Sequence, residues 1–515
     1  MPKLVAPARS FSISSARRSA SLAGLLLLGA MLALAAACGG EDEEAEISFS
    51  PAARSAGIPL ADLLPAPPPA GAPPEADKVV LVVIDALRAD ALGCYGYPRP
   101  VSPSIDRLAA ESAVFDTFHA ASPWTLPSFA SILTGVSPQV SKVRVSGGED
   151  LRKLPEAKKK RRITVIHRQL PTLAELLPGF STCAIVNNNF LHEQHGFGRG
   201  FGTYDFERAG FNSYRQADET VKRALDWLGE NRKRPLFALI HLFDPHMPYY
   251  PPEKYRRRFG LGEKGRMRPR DYYQFRKMRD EKLVPTFAEK SYLRGLYDGE
   301  VRFSDDSVGE LVEGMRRIGL LDSSWLVITA DHGEEFWDHG GVEHGHRYEE
   351  ELTRVPLLIR APGGRWGAGR RVALSARHVD LAPTVLEWLD MERPAHFEGR
   401  SLLPLISGAE DGHRPAYMEH KLRGEPEVAW FDGRYKLIWW PGKHRDRLYD
   451  LLEDPGERRS LGQDHPMYRP LRKALVGYRR SLDAAEKALG EDETPEVEID
   501  DDLKKAMEEL GYFEE

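Results

Sequence analysis

The chain has 515 residues, with 71 Lys and Arg against 77 Asp and Glu, and a formal net charge of −6. Hydrophobic residues make up 42% and charged residues 29%, which excludes collagen, coiled coil and wholesale disorder. Three cysteines exclude a disulfide framework and a four-cysteine zinc site. The slightly acidic balance argues against a nucleic-acid partner. A chain of this length should form two to four domains, or one large α/β domain with an appendage.

The first 37 residues have the composition of a secretion signal. They contain four basic residues and no acidic one, and an apolar run from Leu22 to Ala37 precedes Cys38. This arrangement predicts a lipoprotein-type signal peptide over residues 1–37, and Ala-Ala-Ala-Cys resembles a bacterial lipobox, whose cysteine is lipidated. An uncleaved signal anchor is the alternative. Either one predicts a protein of the bacterial cell envelope, held to the membrane on the periplasmic side, and we expect a membrane-anchored lipoprotein.

Composition divides the remainder of the chain into three parts. Residues 38–77 are rich in Pro and Ala, which predicts an extended linker. Residues 78–400 are expected to form a catalytic domain. Residues 401–515 are expected to form a small antiparallel sub-domain with a helical tail over 500–515. Within that sub-domain, residues 427–440 predict a hairpin that turns at Asp432-Gly433.

Short apolar runs predict the strands of the catalytic domain. Their β-branched, uninterrupted character is typical of strands that are buried on both faces. Helical patterns lie between them, so we expect an α/β fold with a doubly wound, mostly parallel sheet. The strand runs are 79–84, 181–186, 236–240, 325–329 and 355–359, and the helical patterns are 105–112, 172–177 and 216–231.

Polar side chains follow four of the five runs. Asp85 follows the first run, and the polar residues after the next three runs lie within 187–189, 241–246 and 331–334. In open α/β sheets, ligands bind outside the carboxyl ends of the strands. Each polar group alone is equally consistent with a helix cap or a loop carboxylate, but four together predict a site at this edge.

Thr125 begins a predicted helix that ends near Gly135. A threonine at a helix start often caps the helix. Helix N-termini also bind anions through their free N–H groups, and a neighbouring cation would make the hydroxyl a nucleophile. The residues by themselves leave both interpretations open.

An ordered series of motifs over residues 78–465 resembles the sulfatase family of the alkaline phosphatase superfamily. The resemblance implies an alkaline-phosphatase-like fold and an ester hydrolase. Thr125-x-Pro-Ser-x-x-x-x-Leu-Thr-Gly135 matches the nucleophile motif of the family. The other matching segments are 85–96, 102–109, Asp244-Pro-His246-x-Pro248-Tyr, Asp331-His-Gly-Glu334, His344-Gly and 448–457.

The departures from the family pattern bear on mechanism. Sulfatases carry Cys or Ser in place of Thr125 and oxidise it to formylglycine, an aldehyde that Thr cannot give. Phe129 stands where they have Arg, Ala86 replaces an Asp, and their Gly-Lys-x-His segment aligns with residues 186–189. A Thr paired with Asp331-His332 is similar to phosphodiesterase and phosphonate hydrolase members, and to phosphoglycerol and phosphoethanolamine transferases.

The resemblance implies the following site. Thr125 would be the nucleophile, and Asp85, Asp331, His332 and the Thr125 hydroxyl would bind a divalent metal. A nitrogen ligand favours Zn²⁺ or Mn²⁺ over Ca²⁺ or Mg²⁺, and a second metal site is possible. Four further residues would contact the substrate or that second metal: Asn188, His246, His344 and His346. Of His344 and His346, one is expected to form only a hydrogen bond within its loop.

We therefore expect a metal-dependent hydrolase of anionic phosphate- or sulfate-type esters. The Arg and the Lys of the family pattern, which would lie near the anionic ester group, are missing from this sequence. Their absence disfavours a doubly charged phosphate monoester. The expected order is phosphodiester or phosphonate ester, then sulfate ester, then phosphate monoester. An envelope phosphoethanolamine- or phosphoglycerol-type transferase, a formylglycine-independent sulfuric ester hydrolase and, last, a non-catalytic binding module are the alternatives.

Overall fold

The apolar runs form the centre of an eight-stranded sheet. The structure is a computed structural model that describes residues 69, 71–146, 162–211, 213–260, 262–424, 426–443, 445–490, 496–498 and 504–507. Its strands are β1 Lys78–Ile84, β2 Ala113–Phe115, β3 Phe118–His119, β4 Arg144–Ser146, β5 Arg162–Thr164, β6 Ser181–Val186, β7 Thr203–Phe206, β8 Leu236–Leu242, β9 Trp325–Ala330, β10 Glu335–Phe336, β11 Val342–Glu343, β12 Leu357–Arg360, β13 Arg371–Val372, β14 Ala376–Arg377, β15 Ala416–Met418, β16 Val428–Phe431, β17 Tyr435–Trp439, β18 Arg447–Asp450 and β19 Glu496–Glu498.

The helices occupy most of the segments between these strands. The α-helices are α1 Pro103–Ala109, α2 Thr125–Thr134, α3 Pro138–Ser141, α4 Ala217–Asn231, α5 Glu253–Phe259, α6 Tyr272–Arg279, α7 Phe287–Arg317, α8 Glu350–Thr353, α9 Leu381–Trp388, α10 Leu403–Ser407 and α11 Tyr468–Ala488. Two of the predicted helical patterns become α1 and α4. The third, 172–177, forms a 3₁₀-helix at Leu173–Leu176 instead, closed by a capping box from Thr172 and Glu175.

The sheet order is β13-β2-β12-β9-β1-β8-β6-β7. Strand β1 lies between β8 and β9 and runs parallel to both, with Val83 opposite His241 and Ile84 opposite Ala330. Strand β6 is parallel to β8 in turn. Because β1, β6, β8 and β9 are adjacent and parallel, all four carboxyl ends meet at one edge. The predicted mostly parallel α/β sheet is confirmed.

One of the predicted strands runs against this direction. Strand β12 is antiparallel to β9, with Leu357 opposite Thr329. The chain leaves β9 at the carboxyl edge and enters β12 at the same edge, so β12 can only return antiparallel. The connection from 331 to 356 therefore stays at the edge where the strands end, and this connection contains Asp331, His332 and His344.

A second, antiparallel sheet lies near the C-terminus, as predicted. It has the order β15-β16-β17-β18, and β16 and β17 form the predicted hairpin, with Asp432 and Gly433 in its turn. Of the described residues, none belongs to a helix long and apolar enough to cross a membrane.

Some predicted segments lie outside the described residues. These are the signal peptide 1–37, linker residues 38–68 and 70, and most of the tail 500–515, of which residues 504–507 form a helical turn. The proposed domain boundaries stay predictions.

Candidate active site

Asp85, Asp331 and His332 meet where β1 and β9 end. All three side chains are fully buried, and one potential ligand atom of each lies within 4.8 Å of the other two. His332 Nε2 is 3.3 Å from Asp85 Oδ1 and 3.5 Å from Asp331 Oδ2. The structure thus brings together three residues that the sequence suggested as metal ligands.

The hydrogen bonds around this group leave one carboxylate oxygen of each aspartate and one imidazole nitrogen available for a cation. His332 Nδ1 donates to the Gly333 carbonyl (2.8 Å), so Nε2 is the ring nitrogen that a metal ion would bind in place of a proton. Asp331 Oδ1 accepts from the backbone N–H groups of Ala86 and His332. Asp85 Oδ1 and Asp331 Oδ2 are buried with no hydrogen-bond donor among the described residues. Two such carboxylate oxygens beside an imidazole nitrogen fit a divalent metal ion.

Electrostatics at the site also favour a cation. Burial raises the pKa of Asp331, and the neighbouring Asp85 carboxylate raises it further, to about 6. Burial lowers the pKa of His332, but Asp331 and Asp85 raise it to about 9. Burial likewise raises the pKa of Asp85, yet His246, His241 and His332 hold it well below its ordinary value. The carboxylates thus recruit positive charge onto the nearest imidazole, which a metal ion would replace.

Thr125 lies at the first position of helix α2, beside this group. The N-cap residue is Trp124, and its side chain makes no capping hydrogen bond. Thr125 Oγ1 lies 3.3 Å from His332 Nε2 and accepts a hydrogen bond from Asn188 Nδ2 (3.2 Å). Thr125 is buried, and its hydroxyl faces the Asp85–Asp331–His332 group instead of capping its helix.

Asn188 joins the nucleophile candidate to the metal-ligand candidates. It follows β6, and the same Nδ2 group that contacts Thr125 also donates to Asp85 Oδ2 (2.9 Å). Its Oδ1 accepts from the N–H of Phe190, which fixes the orientation of the amide. Asn188 therefore lies between Thr125 and Asp85.

Two of the three histidines suggested for substrate or a second metal lie at the site. The His344 ring is 4.3 Å from the His332 ring and 4.9 Å from the His246 ring, between centroids. His246 Nδ1 donates to the carbonyl of Met247 (2.7 Å). His346 instead pairs with Glu335 through Nε2 (2.7 Å). The structure thus brings His344 close to His332, whereas His346 forms a contact within its loop.

His241 belongs to the site although the motifs did not assign it a role. Its Nδ1 accepts from Asn187 N (3.4 Å), so Nε2 carries the proton and faces Asp85 Oδ2 at 3.3 Å. The Phe129 ring packs edge-on against this imidazole, 5.2 Å between centroids. The position of His241 at the end of an apolar run, on the strand next to β1, was the available signal.

Arg88 and Glu334 support the two loops of the site. Arg88 is buried, and its guanidinium donates to the Glu334 carbonyl (3.0 Å) and to Asp338 (2.8 Å). Glu334 Oε1 is hydrogen-bonded to His344 Nδ1 (2.9 Å). These contacts tie the loop after β1 to the loop after β9, so that Asp85 and Asp331 keep their relative positions.

Comparison with known proteins agrees with this architecture. The sulfatase family model matches residues 77–391, and a model described as N-sulphoglucosamine sulphohydrolase, C-terminal, matches residues 338–482. The sulfatase YidJ of Escherichia coli is 24% identical over 75% of this chain and 83% of its own length. An arylsulfatase of Clostridium perfringens is 23% identical over 75% and 90%.

Solved structures show the same fold. BT1596, a 2-O GAG sulfatase, covers 81% of this chain and 93% of its own, with 19% identity and a TM-score of 0.63. A phosphonate monoester hydrolase from Silicibacter pomeroyi covers 80% and 96%, with 20% identity and a TM-score of 0.61. The alkaline-phosphatase-like fold is confirmed, and the chain is a member of the sulfatase family, an ester hydrolase of the alkaline phosphatase superfamily.

Proposed function

We propose that this sulfatase-family hydrolase cleaves singly charged phosphorus esters, either phosphodiesters or phosphonate esters, with Thr125 as its nucleophile. The observation that carries the proposal is the position of Thr125 Oγ1, buried and 3.3 Å from His332 Nε2. The hydroxyl is at a helix N-terminus but does not cap it, so its oxygen is available to an ester group.

Asp85, Asp331 and His332 would hold a divalent cation, Zn²⁺ or Mn²⁺ in preference to Ca²⁺ or Mg²⁺ because one ligand is an imidazole nitrogen. When bound, the cation would lower the pKa of a nearby hydroxyl and neutralise charge on the transferred group. The Asn188 amide donates to Thr125 Oγ1 and so fixes the direction of the oxygen lone pairs.

The reaction has two steps at phosphorus. Thr125 Oγ gives up its proton and bonds to phosphorus, while the bond from phosphorus to the leaving alcohol breaks and that alcohol takes up a proton. Water then attacks phosphorus and releases Thr125. Burial lowers the pKa of His246, and its Nδ1 donates to a carbonyl, so the lone pair on its Nε2 can accept a proton during these steps.

The shortage of cations favours a singly charged substrate. Within the described chain, the side chains that hydrogen-bond or ion-pair with Asp85 or Thr125 are Asn188, His241 and His332. Phe129 fills the position where the sulfatase pattern has Arg. A dianionic phosphate monoester would lack the guanidinium and ammonium groups that stabilise its charge, whereas a diester or phosphonate ester needs them less.

A sulfate ester is the second candidate, because the curated relatives are named as sulfatases. A sulfate ester is disfavoured as the substrate because a sulfated Thr125 would be difficult to hydrolyse without the aldehyde hydrate of formylglycine. Transfer to an alcohol, as in an envelope phosphoethanolamine- or phosphoglycerol-type transferase, would use the same first step with a hydroxyl acceptor in place of water.

A panel of nitrophenyl esters tests the substrate class. The sulfate, phosphate, phosphodiester and phosphonate esters are each assayed with Zn²⁺, Mn²⁺, Ca²⁺ and Mg²⁺. We expect the highest kcat/KM for the phosphodiester or the phosphonate ester. A preference for the sulfate would overturn the phosphorus assignment. Products formed only when an alcohol such as glycerol is added would identify a transferase.

Substitution of Thr125 tests the nucleophile. Thr125→Ala should reduce kcat on the best ester by several orders of magnitude, and Thr125→Ser should keep part of the activity. Thr134→Ala is the matched control, since Thr134 is a buried threonine of the same helix whose hydroxyl donates to the Ala130 carbonyl. Activity of Thr125→Ala within tenfold of the parent, about 1.4 kcal/mol in barrier, would reject the nucleophile.

A further inference from the structure

A cavity is lined by residues of two segments, 211–222 and 248–270. It has a volume of about 710 Å³, and its walls include Tyr214, Pro248, Tyr250, Arg256 and Arg270. Ligand sites in proteins commonly occupy about 300–1,000 Å³. None of the residues assigned to the metal group or to Thr125 lines this cavity, so the described walls form a separate space.

Two arginines share one aromatic ring on the wall of this cavity. The guanidinium carbon of Arg256 lies 3.9 Å from the centroid of the Tyr250 ring, and that of Arg270 lies 4.9 Å from it. Arg256 has no ion pair within the described chain. The ring stabilises each cation, and each guanidinium group carries N–H donors that a bound anion accepts.

The acidic side chains that line this cavity have other partners. Asp218 Oδ1 accepts from the N–H of Glu219 (2.8 Å), and Glu219 Oε1 pairs with Arg223 (3.1 Å). Both acids belong to the first turn of α4. Lys222, one turn further along α4, also lines the cavity, so this part of the wall carries both signs of charge.

Two buried acids near Tyr250 each have one oxygen hydrogen-bonded to the backbone. Asp244 Oδ2 accepts from the N–H of Ala217 (2.8 Å), and Glu300 Oε1 accepts from the N–H of Tyr250 (2.8 Å). Their other oxygens, Asp244 Oδ1 and Glu300 Oε2, are buried with no hydrogen-bond partner among the described residues.

The cavity is close enough to the catalytic group for one substrate to reach both. His246 and Tyr250 are four residues apart, and four residues span at most about 14 Å. The Phe243 ring packs between the two sites, 4.7 Å from the His246 ring and 4.9 Å from the Tyr214 ring. The segment that carries His246 thus also carries the wall of the cavity.

The surrounding segment has the charge of an anion-binding surface. Residues 251–290 contain 13 Lys and Arg against 6 Asp and Glu, a net charge of +7 in a chain whose net charge is −6. A local positive field of this kind attracts anionic ligands.

We propose that this cavity binds a second anionic group, a sulfate, phosphate or carboxylate, on the same molecule whose ester is cleaved at Thr125. Arg256 and Arg270 would bind that group through their N–H donors, with Tyr250 holding the two side chains in place. This inference rests on the proposed function and specifies its substrate as one that carries at least two anionic groups.

Kinetics with paired substrates test the inference. The two substrates are nitrophenyl phosphodiesters whose second alcohol carries either a sulfate or, in its place, a free hydroxyl. The parent should prefer the sulfated ester through a lower KM. Arg256→Ala and Arg270→Ala should each lower the ratio of kcat/KM for the sulfated ester to kcat/KM for the hydroxyl ester by about tenfold, with little change in kcat on the hydroxyl ester. Arg257→Ala is the control, because Arg257 is exposed and paired with Glu253.

A binding measurement separates this inference from the proposed reaction. The probe is 1,5-naphthalenedisulfonate, a fluorescent dianion without an ester, titrated into the full chain. Weaker binding by both Arg256→Ala and Arg270→Ala, with Arg257→Ala equal to the parent, would support the site even if no ester were hydrolysed. Equal binding by all four proteins, or equal weakening by Arg257→Ala, would overturn it, and so would a preference for the sulfated ester that survives both substitutions.

Discussion

Asp331 and His332 make different contributions to the same candidate metal site. Asp331 has one oxygen fixed by two backbone N–H groups, and His332 has its Nδ1 proton fixed by the Gly333 carbonyl. Their remaining atoms, Asp331 Oδ2 and His332 Nε2, lie 3.5 Å apart. Such supporting bonds orient metal ligands and commonly affect metal affinity by about 10–100-fold.

Loss of either ligand should abolish stabilisation by metal. A cation that binds the folded state raises the melting temperature in proportion to the logarithm of its concentration over Kd. We expect Zn²⁺ or Mn²⁺ to raise the Tm of the parent, and neither ion to raise that of Asp331→Asn or His332→Ala. His346→Ala serves as the control, because His346 pairs with Glu335. A metal-dependent Tm rise in all four proteins would place the metal elsewhere.

At the scale of elements, the end of helix α2 depends on Gly135. This residue has a left-handed conformation, with φ of 65°, and its carbonyl accepts from the N–H groups of Glu398 and Gly399. A Cβ added here would lie 2.7 Å from Cδ2 of Phe397. The close approach lets the helix that begins at Thr125 pack tightly on the segment that follows α9.

Alanine at Gly135 should therefore destabilise the fold. The left-handed backbone alone costs about 1–2 kcal/mol for a residue with a Cβ, and the Phe397 contact adds to this cost. Gly477 is a helical glycine of α11 with open space around it, so Gly477→Ala should stabilise the protein by about 0.5–1 kcal/mol. Urea unfolding of the two variants measures both changes. Equal stability of the two would contradict this account of Gly135.

Lys436 links the second sheet to the loop that carries the site. It is a fully buried residue of β17, and its ammonium lies 3.0 Å from Glu350 and 3.2 Å from Glu457. Burial lowers the pKa of Lys436, but Glu457 and Glu350 raise it well above its ordinary value. Glu350 begins α8, whose neighbouring carbonyls at Glu351 and Leu352 accept from the N–H groups that follow His332.

Removal of this ammonium should leave the buried Glu457 and the partly buried Glu350 without this cation. Lys436→Met is expected to lower the free energy of unfolding by about 3–5 kcal/mol at pH 7, as for other broken buried ion pairs. Lys473→Met, in an exposed position of α11, should change it by less than about 0.5 kcal/mol. Denaturant titration gives both values. A loss below about 1 kcal/mol in Lys436→Met would mean that the carboxylates simply take up protons.

At the scale of the whole molecule, we propose that the chain is tethered to the bacterial envelope membrane through Cys38. The basic start, the apolar run and the small residues before this cysteine support the proposal. A tether of this kind, followed by a Pro/Ala-rich linker, would hold the hydrolase near the membrane.

Replacement of Cys38 tests the tether. We expect the parent in the membrane fraction with a processed, lipidated N-terminus, and Cys38→Ala either released or left unprocessed. Cys183→Ala, which changes a buried cysteine of β6, should behave as the parent does. Equal membrane retention of the parent and Cys38→Ala, with an intact N-terminus in both, would identify a signal anchor instead.

Local sequence determined the strands and the residues at their ends. Uninterrupted apolar runs are a property of neighbouring residues, and the runs before Asp85, Asn187 and Asp331 became β1, β6 and β9. Since parallel strands bring their carboxyl ends to one edge, the group of Asp85, Asp331 and His332 followed from these runs together with the motifs.

The tertiary structure decided what depends on residues far apart in the sequence. Thr125 meets His332 across 207 positions, and this contact, which no local pattern encodes, distinguishes a hydroxyl facing the site from a helix cap. His241 joins the group because β8 pairs with β1, and His344 rather than His346 does so because of how the loop after β9 folds back. The direction of β12 likewise follows from the edge at which that loop ends, since side-chain pattern determines that a strand forms but not which way it runs.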